Sequence, residues 1–209
     1  MTTVIGIKGS DFTVLAADSR FTTLTDDGLI VGIQTTGASH PKIAAVGNYL
    51  IGTAGDVRAI NILSHVFHPP QPPPSLAGKR LDEFMTAKFI PSLRECFDSH
   101  GYSTPVRDSS NHMAEQSSDL LVSINQHIYQ IDNDYAWTVD SSGIFSIGTG
   151  CQYAIGALAT LVSETPSTVN QARNLALKAL AIAARFDPHT AFPYQVFSQT
   201  NRKKASANK

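Results

Sequence analysis

Residues 2–20 read TTVIGIKGSDFTVLAADSR. Residues 3–9 are a run rich in β-branched side chains, Ser10-Asp11 supplies a turn, and residues 12–17 form a second apolar run ending on Asp18. Such a pair predicts a hairpin that brings Asp18 back to the level at which the chain starts. Thr2 stands directly behind Met1. With Met1 removed, one residue would carry both a hydroxyl and a free α-amine. A threonine hydroxyl is a poor nucleophile until a base takes its proton, and an α-amine, with an ordinary pKa of about 7.7–8.0, is a base suited to neutral pH. Thr2 would then be nucleophile and base together. A Met-Thr start alone reads equally as an ordinary processed terminus, so its weight depends on the residues from Asp18 onward.

Asp18-Ser19-Arg20 closes the second run with charge, and a polar excursion leads to His40-Pro41-Lys42-Ile43, where a lysine enters another apolar strand. By itself that lysine is a solvated edge charge. Leu50-Ile51-Gly52-Thr53-Ala54-Gly55 leads into a helical pattern, and Ile147-Gly148-Thr149-Gly150 into another that contains Tyr153-Ala154-Ile155-Gly156-Ala157-Leu158. Asp187-Pro188-His189-Thr190 comes after the last helical pattern. Together and in this order, the landmarks resemble those of proteasome β-subunits and HslV-type peptidases, within the N-terminal-nucleophile (Ntn) hydrolases.

The resemblance implies a catalytic set. Thr2 would be the nucleophile, Asp18 and Lys42 its charged partners, and the backbone amide of Gly55 the oxyanion donor. Thr149, Asp187 and Thr190 would support the amine and the proton shuttle, with threonine at two positions where the family usually has serine. Thr22 is similar to the strand residue that hydrogen-bonds substrate backbone, whereas Phe21 departs from the usual small residue. Thr53 and Val57 are expected in the first side-chain pocket, which implies an uncharged substrate side chain there. The residues also carry plainer readings: Gly55 as a tight turn, Asp187 and Thr190 as a helix cap and a proline-containing turn. Lys42 has chemical work only if it is partly buried near the nucleophile, and an ammonium there needs a carboxylate to stay charged; Asp18 is the candidate.

Two departures from the family pattern are visible. The segment between Arg20 and Lys42 is several residues longer than in typical β-subunits, so the Asp26-Asp27-Gly28 region is expected to form an extended loop near the substrate cleft. The resemblance also implies a minimal bacterial type without a propeptide, in which loss of Met1 alone exposes Thr2.

The 209 residues suit one domain (1–209, with 200–209 a flexible tail), and 42% hydrophobic against 16% charged residues is a globular balance. A net charge of −1 supplies no broad basic field for nucleic acid. Two cysteines, Cys96 and Cys151, are too few for a disulfide framework and fit a reducing compartment. With neither a signal-peptide pattern nor a long apolar run, no membrane association is expected, and the expected location is cytoplasmic.

Beyond the first hairpin, strands are expected at 42–46 and 49–53, then helices at 56–66 and 81–98, separated by a proline-rich stiff stretch at 68–74. A polar loop covers 101–118. Strands come next at 120–124, 127–131, 136–139 and 144–147, then helices at 151–162 and 168–186, the latter capped by Ser167, and a last strand at 194–197. The order of strands, two helices, strands, two helices and a strand fits an α+β fold, the four-layer α-β-β-α sandwich of proteasome-like Ntn hydrolases, although a strand count alone fits other α+β layouts.

Competing motifs are weak. The histidines are scattered without metal-ligand spacing, so no metal and no cofactor is expected. There is no G-x-S-x-G elbow, Gly148-Thr149-Gly150 lacks the third glycine and the acidic residue of a dinucleotide fingerprint, and Cys151 reads as a packed small hydrophobe. The expected function is a threonine endopeptidase of a self-compartmentalising ring protease. The resemblance implies homo-oligomeric stacked rings of six or seven subunits, unfolded protein or peptide as substrate, and an ATPase unfoldase as a partner class. Two alternatives stay open: an inactive ring-forming homologue acting as scaffold, and an Ntn amidase for small amides.

Overall fold

The computed structural model describes residues 2–25, 27–37, 39–102, 104–105 and 114–200. Met1, Asp26, Ala38, half of the expected 101–118 loop and the basic tail from Asn201 lie outside the described residues.

Two antiparallel sheets face each other. The elements in chain order are β1 (Thr3–Lys8), β2 (Phe12–Asp18), β3 (Arg20–Leu24), β4 (Ile30–Thr35), β5 (Ile43–Val46), β6 (Tyr49–Gly55) and helix α1 (Val57–His65). Then come α2 (Lys79–Phe84), a π-turn (Met85–Phe89), α3 (Ile90–Ser99), β7 (Thr104–Pro105), β8 (Ala114–Glu115), β9 (Ser118–Ile124) and β10 (His127–Ile131). The chain finishes with β11 (Trp137–Thr138), β12 (Ile144–Gly148), α4 (Cys151–Leu161), α5 (Val169–Phe186) and β13 (Tyr194–Thr200). One sheet has the order β12-β1-β2-β13 and the other β11-β10-β9-β6-β5.

Strand alternation builds three apolar layers from these two sheets. Ile5, Ile7, Val14 and Ala16 point one way, onto α4 and α5. Their neighbours Val4, Leu15 and Ala17 point the other way, meeting Ile43, Leu50 and Leu121 between the sheets. Leu120, Val122, Tyr129 and Ile131 then carry the outer face of the second sheet, packing under α1, α2 and α3. Antiparallel strands usually leave one face to water; here both faces are covered, which is why β1 and β2 read as unbroken apolar runs. On α5, Ala172, Ala176, Ala179 and Ala183 recur at helical spacing with no exposure, and their small side chains let the helix lie close on the sheet. The result is the α-β-β-α sandwich, reached through local chemistry that the residues announce.

Some local expectations change. The helix at 81–98 is a longer rod, Lys79 to Ser99, whose middle widens so that the Ile90 N–H reaches back to Met85 O. Pro91 is the next residue; it has no N–H to give, and its ring would crowd a regular preceding turn. α5 is capped by Thr168, whose hydroxyl accepts from Gln171 N in a capping box, with Ser167 outside it. The segment between Arg20 and Lys42 contains two strands the sequence did not announce, β3 and β4, paired from Arg20↔Thr35 to Leu24↔Ile30, with Asp27 and Gly28 in the connection between them. The proline-rich stretch lies against the body of the protein: Tyr49 OH donates to Pro70 O at 2.6 Å and Asn125 Nδ2 to Pro73 O at 2.9 Å.

Phe89 is fully buried, with its ring 5.1 Å from that of Tyr49 and 5.8 Å from that of Phe67. Phe89→Ala should cost about 3–5 kcal/mol through lost burial and a cavity. Val139→Ala, at an exposed position, should stay within about 0.5 kcal/mol of the parent. Urea titration of both variants checks the contrast.

Candidate active site

The β1–β2 hairpin pairs Val4 with Ala17, which sets the beginning of β1 beside the end of β2. The Thr3 N–H consequently donates to Asp18 Oδ1 at 3.0 Å. Asp18 is completely buried and takes three further donors: Arg20 N at 2.9 Å, Ala191 N at 3.2 Å and Lys42 Nζ at 2.8 Å. Lys42, 1% exposed, enters from the residue before β5 and also donates to Arg20 O at 2.5 Å, with its ammonium 4.7 Å from the centre of the Phe21 ring. Burial draws the Lys42 pKa below its ordinary 10.5, while the charge and hydrogen bond of Asp18 and the charge of Asp187 oppose that shift.

A second carboxylate organises the other side. Asp187, the C-cap of α5, accepts at Oδ2 from Thr149 Oγ1 at 2.9 Å and from Thr190 Oγ1 at 2.6 Å. Because Thr190 spends its proton on Asp187, the 2.5 Å contact between Thr190 Oγ1 and Thr3 Oγ1 has Thr3 as donor. Arg20 ties this turn to β3 by donating from Nη1 to Pro188 O at 2.6 Å. Gly150 sits among these hydroxyls, where an added Cβ would come within 2.2 Å of Thr3 Oγ1.

Thr2 is 2% exposed and lines a cleft of about 870 Å³ together with Gly55 and Thr149. Its carbonyl is met by Gly148, which has φ +91° and whose Cβ, were there one, would lie 2.0 Å from Thr2 O. Gly55 is the last residue of β6, one residue ahead of the α1 N-cap Asp56, rather than inside the first helical turn. Cys151 also lines the cleft, and burial pushes its thiol pKa up, away from thiolate reactivity.

The remaining expected positions lie outside this cleft. Thr22 Oγ1 is 3.0 Å from His189 Nδ1, and Phe21 stacks over Lys42. Thr53 is buried beside Lys42, its N–H donating to Lys42 O at 3.0 Å. Val57, on the first turn of α1, is 43% exposed. The residue that sequence reasoning missed is Thr3, which contacts both carboxylate clusters. A polar residue at the head of a run that is otherwise apolar and buried was its only signal. Among the described residues no group of three acidic, histidine or cysteine side chains could hold a metal ion, and no helix is long and apolar enough to cross a membrane.

No protein-family model matches the chain, and no curated protein matches it. Solved structures do. The BPH protein of Thiobacillus denitrificans in complex with epoxomicin is 21% identical with a TM-score of 0.69, over 95% of this chain and 98% of that one. A second structure of that protein is 20% identical with a TM-score of 0.68, over 96% and 99%. The eukaryotic HslV of Trypanosoma brucei is 17% identical with a TM-score of 0.58, over 95% and 99%. The fold is therefore that of the proteasome-like, HslV-type Ntn hydrolases.

Stability should report the burial of Lys42. Its folded pKa is lowered, so the native state holds this proton less tightly than the unfolded chain, and the residue's contribution to stability rises as pH climbs through the depressed pKa toward 10.5. Lys42→Met should destabilise by about 3–5 kcal/mol by leaving Asp18 unpaired. Urea midpoints should show wild type gaining on the variant as pH rises toward 10.5; a relative loss would contradict the sign.

Proposed function

We propose that this chain is a threonine endopeptidase subunit, 1–209 forming one domain, whose nucleophile is Thr2 after removal of Met1. The observation that carries the reading is the double anchoring of the first strand: Thr3 N–H on Asp18 and Thr3 Oγ1 on the Thr190–Asp187 chain, with Thr2 at the cleft wall between them. In the reaction, Thr2 Oγ attacks the peptide carbonyl as the α-amine takes its proton. The amine passes that proton to the leaving amine, which departs as the ester forms. Water, deprotonated by the same amine, then attacks the ester and frees the acid and the hydroxyl.

The other residues have supporting parts. The Gly55 amide would hold the oxyanion. Lys42, kept charged by Asp18, would favour the deprotonated forms of hydroxyl and amine. Thr149, Asp187 and Thr190 would orient the proton path by hydrogen bonds. Phe21 and Thr22 would meet substrate along the β3 edge, and Thr53 and Val57 would border a further pocket. Substrate would bind as an added strand through main-chain hydrogen bonds. The chain would assemble into stacked homo-oligomeric rings, an assembly that the HslV-like fold supports, and would take unfolded polypeptide as substrate, an ATPase unfoldase as partner and a cytoplasmic setting.

Thr2→Ala should abolish peptide hydrolysis with fold retained, while Lys42→Ala and Asp18→Ala each lower turnover by roughly two or more orders of magnitude. An epoxyketone should add to the hydroxyl and amine of Thr2 and to no other residue, as seen by intact mass; that measurement also reports loss of Met1. Turnover should rise from about pH 6 and level near about pH 8, because the amine works only unprotonated. Retained hydrolysis in Thr2→Ala would sink the mechanism.

Assembly is checked by native mass, which should give rings of about six or seven subunits, usually paired. A monomer at micromolar concentration that still hydrolyses small amides would favour the amidase reading; rings without turnover in Met1-free protein would favour the scaffold.

A further inference from the structure

The cleft beside Thr2 carries a charge that the catalytic set does not use. Asp119, the second residue of β9, lines it together with Asp132 and Asp134 of the β10–β11 turn. No lysine, arginine or histidine is among its described lining residues, and the two ion pairs found among the described residues, Lys42–Asp18 and Arg94–Asp98, involve none of the three. The three carboxylates thus lack a cation among the described residues. Asp119 is half-buried, and burial together with the charge of Asp132 pushes its carboxyl pKa up.

Gln116 supplies an independent observation. It is 2% exposed and lines the same cleft, with Nε2 donating to Asp132 O at 3.4 Å. Its Oε1 has no hydrogen-bond partner among the described residues. A buried acceptor without a donor is unfavourable, so a ligand that brings N–H groups would recover that loss. The acceptors are spread through the cleft instead of converging at metal-ligand distance. A spread of carboxylate and amide oxygens suits a guanidinium, whose five N–H groups form a planar fork, better than a point charge.

We propose that this cleft is a specificity subsite for a cationic substrate side chain, arginine above all, on a residue flanking the bond that Thr2 cleaves. The assignment deepens the peptidase reading and rests on it. It adds a charged preference beside the uncharged pocket that Thr53 and Val57 would border. Asp119, Asp132 and Asp134 supply the attraction, and Gln116 Oε1 supplies a directional acceptor. A cleft of about 870 Å³ has room for the side chain and its backbone.

The test uses two matched peptide series, with arginine, lysine, leucine or aspartate on either side of one scissile bond. In one of the two series kcat/KM should favour arginine over leucine by about tenfold or more, with aspartate worst. Asp132→Asn, Asp119→Asn and the exposed Asp134→Asn should each shrink the arginine-to-leucine ratio, and Asp132→Lys should invert it. The ratio is internal to each variant, so partial loss of folded protein does not mimic the effect. Calorimetric binding of the arginine and leucine peptides to Thr2→Ala protein forms the second arm. Equal cleavage of arginine and leucine peptides, with ratios unmoved by the Asp substitutions, would overturn the subsite while leaving the peptidase intact. No cleavage at all, combined with Asp119- and Asp132-dependent binding of the arginine peptide, would overturn the peptidase and retain the cation site.

Discussion

One buried carboxylate holds the centre of this molecule. Asp18 receives the Thr3 amide from β1, the Arg20 amide from the start of β3, the Ala191 amide from the turn before β13 and the Lys42 ammonium from the start of β5. Four segments far apart in sequence are pinned to two oxygens. A fully buried charge is tolerable only when its lone pairs are met and an opposite charge is close, and both conditions hold here. Removing any one donor would therefore disturb the others, because each shares an oxygen with a neighbour: Oδ1 serves Thr3 and Lys42, Oδ2 serves Arg20 and Ala191.

The sandwich gives this carboxylate its dry setting. β2, which ends on Asp18, is covered by α5 on one face and by the second sheet on the other, so its end lies deep in the molecule. The same burial lowers the Lys42 pKa, and without Asp18 the ammonium would have little reason to keep its proton there. Structure and electrostatics are one arrangement in this region. The strand order that closes the core also delivers Lys42 and Thr3 to the same oxygen.

Much of this was legible in the sequence because it depends on local chemistry. The Ser10-Asp11 turn fixes the hairpin register, and register alone determines that Asp18 lies beside the chain start. The helices carried a clear period, although the cap of α5 proved to be Thr168 and not Ser167. What stayed hidden depends on tertiary contacts. Leu29, Ile30, Val31 and Ile33 are exposed in the β3–β4 hairpin, so no buried face produced an alternating pattern to announce those strands. The acidic cleft joins Asp119 to Asp132 and Asp134 across the β9–β10 pair, and no spacing in the sequence signals such a meeting. The threonines at 149 and 190 were legible as hydroxyls, yet their common acceptor became visible only in the fold.

Asp187 only accepts, so Thr149 and Thr190 must both point their protons toward it, and Thr190 is left with lone pairs for Thr3. The Thr3 hydroxyl is thereby oriented toward Thr190, as its amide is oriented toward Asp18. Gly148 closes the third side against the Thr2 carbonyl, in a backbone conformation that few other residues adopt. The polar groups of the Thr2–Thr3 peptide and of the Thr3 side chain are thus committed to fixed partners or to close packing. The proposed reaction would use the hydroxyl of Thr2 and, once Met1 is gone, its amine. β-Branching restricts χ1 of a threonine more than that of a serine, so the hydroxyls of Thr3, Thr149 and Thr190 hold their directions at a smaller entropic cost. Rigid surroundings of this kind would suit the proposed nucleophile, which would act as its own base with both groups on one residue.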